Sequence, residues 1–187
     1  EIITIDQSSL HNELTTLISK VVNINGNTFS MGQLKSYMRT PVNYYVSQLY
    51  TQIGYSSIVM STGNYDEDGY LYYFCKAGDG VADVSIISDL HKNQVYIVAN
   101  KLSVPKSIID ARPSADLWEN QEDEIELGFP YDFIELFTEY LKFNDQDKSK
   151  FISSLDEKAS SYFKENSLKA QAIHNKNKHK VGFPHIL

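Results

Sequence analysis

The chain has 187 residues, 42% hydrophobic and 22% charged, with a formal net charge of −7 at pH 7. That length favours one domain with a core of ordinary size, and the acidity argues against a general nucleic-acid binder. The single cysteine, Cys75, excludes an internal disulfide framework and a cysteine-based zinc cluster, and fits a reducing, cytoplasmic compartment. No apolar run approaches the roughly 20 residues of a membrane span, and no signal peptide is visible. The first residue is Glu1 rather than Met, so the expectation is a processed piece or part of something longer.

In chain order, the β-branched run Ile2-Ile3-Thr4-Ile5-Asp6 predicts a strand, and its aspartate and the serines after it suit a helix cap. Leu10, Leu14, Leu17, Ile18, Val21 and Val22 have the period of a helix with one buried face, broken by Asn23 to Asn27. A second helical pattern runs through Leu34, Met38, Val42, Tyr45, Leu49 and Ile53. Pro41 lies inside it and costs a hydrogen bond in a continuous helix, whereas Thr40-Pro41 also reads as a cap and first position of a restarted one. Gly54 ends it, and Ser57 to Ser61 reads as a short buried strand.

Val84-Ser85-Ile86-Ile87 is a further short strand, followed by a helix capped by Ser88 or Asp89 with Val95, Val98, Ala99 and Leu102 on its apolar face. Val104-Pro105 stops that helix. Arg112 to Trp118 is extended or turn-like, and Glu119 to Glu126 carries five carboxylates in eight positions. Pro130 opens a helix with Phe133, Phe137 and Leu141, and a last helix carries Phe151, Leu155, Ala159 and Tyr162. The tail, His174 to Lys180, is basic and leads into Phe183-Pro184-His185. Helices alternating with short β-branched strands predict an α/β fold with a mostly parallel sheet and no linker between domains.

The chemistry concentrates between Ser61 and Lys92. A strand opening into Thr62-Gly63-Asn64 is where open α/β sheets place ligands. Asp66-Glu67-Asp68 reads either as a solvated acidic loop or as carboxylates for a hard divalent ion, which takes one or two of them plus substrate phosphates. Lys76 and Lys92 flank Gly78-Asp79-Gly80; each is either a surface lysine or a phosphate-binding charge. Asp83, set among apolar residues, is either a partly buried hydrogen-bonding group or a cap. Tyr70, Tyr72, Tyr73 and Phe74 suit core packing or ring stacking. Cys75 has no neighbouring histidine to activate it and reads as a small buried thiol.

The order of these groups resembles the NAD synthetases. The resemblance rests on Thr62-Gly63-Asn64, Asp66-Glu67-Asp68-Gly69, Lys76-Ala77-Gly78-Asp79-Gly80-Val81-Ala82-Asp83 and Ile87-Ser88-Asp89-Leu90-His91-Lys92, then Pro113 to Trp118, Asp123-Glu124, Glu126-Leu127-Gly128 and a late His179-Lys180. It covers Gly32 to the C-terminus. It implies an adenine-nucleotide hydrolase-like, Rossmann-like parallel sheet with flanking helices, incomplete at its N-terminus, in a single domain spanning residues 1–187. It further implies a homodimeric ligase that uses ATP and Mg²⁺ to amidate deamido-NAD with ammonia, free or glutamine-derived. Carried over by position, Thr62, Lys92 and Ser114 resemble ATP contacts, and Glu67 resembles the magnesium ligand. Arg39, Lys76, Asp83, His179 and Lys180 resemble deamido-NAD contacts, with Asp83 and Lys92 as catalytic candidates.

Three departures accompany the resemblance. Tyr37 stands where the family has an arginine, which leaves Arg39 as the candidate. One extra residue between Thr62 and Lys76 leaves Glu67 and Asp68 both open as the metal ligand. The family's Ser-Gly-Gly-x-Asp-Ser pyrophosphate loop does not occur in the 187 residues. The expectation is therefore a portion of a synthetase that does not turn over alone; the alternative is a non-catalytic nucleotide-binding or dimerisation module related to the enzyme.

Overall fold

Among the large side chains, Leu71, Ile134 and Phe137 are the most completely buried, and they come from segments far apart in the chain. The computed structural model describes residues 2–182, so Phe183-Pro184-His185 lies outside the described residues. The elements are α1 (Ser8–Val22), α2 (Thr28–Gln52), β1 (Met60–Ser61), a π-helix (Tyr65–Leu71), β2 (Val84–Ser85) and α3 (Lys92–Lys101). They are followed by α4 (Lys106–Ile109), α5 (Asp123–Leu127), α6 (Tyr131–Lys142), α7 (Asp145–Ser154), α8 (Glu157–Asn177) and a 3-10 turn (Lys178–Lys180). β1 and β2 pair in parallel, Met60 opposite Val84 and Ser61 opposite Ser85. The parallel α/β character expected from the sequence is present, with helices dominating.

The core forms around α6, whose Tyr131, Ile134, Phe137 and Thr138 recur at helical spacing on one buried face. Phe133 and Phe137 stack with ring centroids 5.9 Å apart, and Phe163 of α8 meets Phe137 edge-on at 6.1 Å. Leu71 closes the cluster from the π-helix. The core thus pins the π-helix, which carries the acidic triplet, between α6 and α8.

Several expectations are corrected. Residues 2–7 are not a strand: among the described residues they pair with nothing, and Ile2 is 94% exposed. Asp6 still serves the first helix, accepting from the Ser8 amide at 2.9 Å. The face of α1 predicted to be buried carries exposed Leu10, Leu17, Ile18, Val21 and Val22, with only His11 buried on that helix. The second helix does not restart at Pro41 but runs through it. The Thr40 hydroxyl instead donates to the carbonyls of Ala77 and Gly78 at 2.8 and 3.0 Å. The strand before Thr62 is short and its apolar side chains are open, Ile58 being 60% exposed, because a two-stranded sheet offers no covering layer. α3 starts at Lys92 with no cap from Ser88 or Asp89. The last helix is two, broken at Leu155, with Asp156 capping α8 through the Ala159 amide at 2.7 Å.

Because Phe137 touches α8 and its own helix at once, Phe137→Ala should destabilise the chain by about 3–5 kcal/mol, read as a fall in the urea midpoint at constant slope.

Candidate active site

The site begins with a capping arrangement. Asn64 precedes the π-helix and its side-chain oxygen accepts from the amides of Asp66 and Glu67 at 3.0 and 3.2 Å. The turn so fixed sends the three carboxylates in three directions. Asp66 is wholly buried and takes the Nδ1–H of His91 at 2.6 Å and the amide of Lys92 at 2.8 Å, so it caps α3 from another element. His91 reaches Glu139 of α6 through Nε2 at 3.2 Å, which carries the link into the core helix. Burial opposes charge on His91, but the hydrogen bond and charge of Asp66, helped by Glu139, outweigh it and raise the imidazole pKa. Burial likewise raises the Asp66 pKa against those same partners.

With the π-helix fastened to α3, the next residue of each meets the other: Lys92 Nζ lies 2.8 Å from Glu67 Oε1, both mostly buried. They sit in a cleft of about 860 Å³ whose lining also includes Arg39, Thr62, Ser114, His179 and Lys180. Asp68 turns back over the strand end. A Cβ on Gly63 would fall 1.8 Å from its Oδ2, so the glycine is required by that close approach. Burial, then the charges of Glu67 and Asp79, push the Asp68 carboxyl up to about 7. A Cβ on Gly78 would lie 2.1 Å from the Ser36 hydroxyl, so the turn sits hard against α2. Asp79 fixes it by accepting from Ser36 Oγ at 2.8 Å and from the Cys75 amide at 3.0 Å. Cys75 is buried, as expected, and burial raises its thiol pKa.

Tyr131, at the start of α6, faces two carboxylates: its hydroxyl oxygen is 3.0 Å from Glu67 Oε1 and 3.1 Å from Asp123 Oδ2. A phenol has one proton to give. Burial, with both carboxylates adjacent, holds the phenol pKa far up, so it remains a neutral donor. Asp123 is 5% exposed and lines the same cleft, and its Oδ1 has no hydrogen-bond partner among the described residues. Its own helix, α5, is tied to the residues just after the π-helix and to the segment before Asp123 through Glu126, which accepts from Tyr73 Oη at 2.6 Å and Gln121 Nε2 at 3.1 Å. This donor set is all oxygen, which fits a hard divalent ion such as magnesium.

The tail is ordered through the 3-10 turn and closes one end of the cleft. Three successive carbonyls at the end of the π-helix, of Tyr70, Leu71 and Tyr72, accept from His174 Nδ1, Asn177 Nδ2 and Lys180 Nζ at 2.7, 3.0 and 3.0 Å. The donors recur every third residue along α8 and its extension. Lys76 Nζ donates to the carbonyls of His179 and Gly182 at 3.0 and 3.1 Å.

Of the residues singled out in the sequence, Arg39, Thr62, Glu67, Lys92, Ser114, His179 and Lys180 line one cleft. Lys76 and Asp83 stand behind that lining: Lys76 on the tail carbonyls, and Asp83 accepting the Val59 amide at 2.8 Å and the Tyr44 hydroxyl at 3.3 Å. Of the two carboxylates left open as metal ligand, Glu67 is the one paired with Lys92 and Tyr131. Sequence reasoning weighed Asp66 only as a member of the acidic triplet, used His91 and Asp123 only as parts of motifs, and passed over Tyr131. The Tyr131 signal was the residue directly after Pro130, read only as a helix start.

The sequence matches the NAD synthase family over residues 2–184. The chain belongs to that family. It is 34% identical to the NH₃-dependent NAD⁺ synthetase of Thermoplasma volcanium over 158 residues, 84% of this chain and 57% of that protein. It is 46% identical to the Mycoplasmopsis pulmonis protein of the same description over 93 residues, 50% of this chain and 36% of the other. The chain thus spans about half or less of these relatives' lengths. Among solved structures it is similar to an NMN synthetase from Francisella tularensis, with a TM-score of 0.72 at 27% identity over 99% of this chain and 66% of that one. An NH₃-dependent NAD synthetase from Campylobacter jejuni shares the fold, with a TM-score of 0.64 at 21% identity, covering 98% of this chain and 63% of the other.

Asp68 gives this NAD synthase family member a testable pH dependence. Its folded pKa, about 7, lies above the ordinary carboxyl value of 3.8. Between those values the folded chain holds a proton that the unfolded chain has lost, so stability from this group falls as pH rises through that window. Asp68→Asn should remove the slope, gaining roughly 1–3 kcal/mol over the parent at pH 8 and little near pH 4, measured by urea unfolding at both pH values.

Proposed function

We propose that the chain forms part of an ammonia-dependent NAD synthetase, an enzyme that amidates the nicotinate carboxylate of deamido-NAD at the expense of ATP. The single observation that carries this reading is the Glu67–Lys92 pair, 2.8 Å apart, in a cleft shared with Thr62 and Ser114. A carboxylate is a poor acyl donor. Its oxygen attacks the α-phosphorus of ATP, pyrophosphate leaves, and ammonia then attacks the activated carbonyl to expel AMP.

In this reading Lys92 supplies positive charge to the phosphates, and the hydroxyls of Thr62 and Ser114 hydrogen-bond and orient the nucleotide. Arg39 and His179 lie where they can meet deamido-NAD along the cleft wall. Lys76, Lys180 and Asp83 join them by exchanging their present partners. Glu67 would hold magnesium, which would supply neutralisation of phosphate charge. The exposed apolar faces of α1 and α2, with Leu17, Val21, Leu49 and Ile53, suit burial in a homodimer.

No Ser-Gly-Gly-x-Asp-Ser sequence occurs in the 187 residues, so the reading includes no turnover by this chain alone. The chain should bind ATP and deamido-NAD in calorimetry. Lys92→Ala should weaken ATP by about tenfold or more, the loss of a charge-assisted phosphate contact, while NAD formation from ATP, deamido-NAD and ammonia stays at background. Failure to bind either nucleotide would leave only the dimerisation form of the non-catalytic module, and robust NAD formation would overturn the claim of inactivity. A second reading, with the carboxylate of nicotinate mononucleotide as the group amidated, is favoured by the Francisella likeness and by Tyr37 standing in place of arginine. Tighter binding of the mononucleotide than of deamido-NAD in the same titration would select it.

A further inference from the structure

The floor of the cleft carries more negative charge than its own donors satisfy. Glu67 and Asp123 both point an oxygen at the one proton of Tyr131, at 3.0 and 3.1 Å. Among the described residues Lys92 Nζ pairs with Glu67 and lies over the Tyr131 ring, 5.0 Å from its centroid, without an ion pair to Asp123. Asp123 Oδ1 is buried without a hydrogen-bond partner among the described residues, and burial raises the Asp123 pKa against the hydrogen bond from Tyr131. Glu126 lines the same cleft and adds to the negative field, and Asp68, held up to about 7, adds to it only as the pH rises through that value. A buried carboxylate oxygen left unpaired is costly, and a second carboxylate aimed at the same hydroxyl doubles the problem. A cation bound between them resolves both.

We propose that Asp123 is a second carboxylate ligand, acting with Glu67 to hold one hard divalent cation on the floor of the cleft, with Tyr131 as the hydroxyl that keeps the two carboxylates in register. This rests on the reading of Glu67 as the magnesium-binding carboxylate. It adds a ligand from α5, which Tyr131 at the start of α6 links to Glu67 of the π-helix. Two carboxylates with substrate oxygens and water are a sufficient set for magnesium or manganese. The site also explains how Lys92 serves phosphate: a divalent ion at Glu67 takes over the neutralisation that Lys92 now provides.

The test uses the 187-residue chain and Mn²⁺ alone, with binding read from the loss of the free-ion electron paramagnetic resonance signal. The parent should bind, and Asp123→Asn and Glu67→Gln, each checked for folding by circular dichroism, should weaken binding by at least about tenfold. Loss in Glu67→Gln with none in Asp123→Asn overturns the role of Asp123 and leaves the Glu67 reading intact. No binding by the parent, or no loss in either variant, overturns both. Loss in Asp123→Asn alone overturns the pair. Should Asp123→Asn fail to fold, the parent labelled with carbon-13 decides. Mn²⁺ should broaden the side-chain carboxyl resonances of both Asp123 and Glu67 before that of Asp132; broadening of Glu67 without Asp123 overturns the proposal.

Discussion

The Asp66 carboxylate has no exposed surface, so it persists only through the groups that meet it, the imidazole of His91 and the amide of Lys92. Burying an unpaired carboxylate costs far more than a protein's net stability margin allows. Two charge-assisted bonds, at 2.6 and 2.8 Å, offset that cost and in return fix two elements to each other. The carboxylate is joined by the Tyr65 amide, which donates to the Leu90 carbonyl at 2.8 Å, and by the Tyr65 ring, edge-on to His91 at 5.1 Å. Together these fasten the π-helix to the start of α3, and His91 passes the constraint to α6 through Glu139.

The functional geometry follows from that fastening. Glu67 follows the clamped Asp66 and Lys92 gives its own amide to the clamp, so their side chains are brought to face each other, 2.8 Å apart. From the other side, α8 holds the π-helix by its terminal carbonyls, three successive acceptors served by His174, Asn177 and Lys180. A π-helix leaves its end groups unpaired as any helix does; here the C-terminal helix supplies the missing donors. The cleft is therefore framed by polar bonds, whereas the apolar core lies beneath it, around Ile134 and Phe137.

Much of this was legible in the sequence. The alternation of helices and short strands implied the parallel pairing, Pro130 marked a helix start, and the family resemblance named Thr62, Glu67, Lys92 and Ser114, which line one cleft. What was not legible has physical causes. An acidic triplet looks the same whichever member is buried; only the π-helical turn after Asn64 sends Asp66 to α3, Glu67 to the cleft and Asp68 onto Gly63. Periodicity identified α1 as a helix with an apolar face but says nothing of what covers it, and within this chain that face remains exposed. Thr40-Pro41 matched a helix start by residue type, yet tertiary contacts drew the Thr40 hydroxyl to the 77–78 turn and the helix continued. Leu155 and Asp156 lay inside an apolar pattern that spanned two helices.

The most direct test of the Asp66 clamp is nitrogen-15 magnetic resonance of the His91 ring across the pH range. If the clamp fastens α3 to the π-helix, Nδ1 keeps its proton when the ring is neutral, the ring titrates above the ordinary histidine value of 6.5, and both signatures vanish in Asp66→Asn. A ring that titrates at or below that value, with Nδ1 deprotonated in its neutral form, would mean that Asp66 does not hold His91 and that something else brings Glu67 to Lys92.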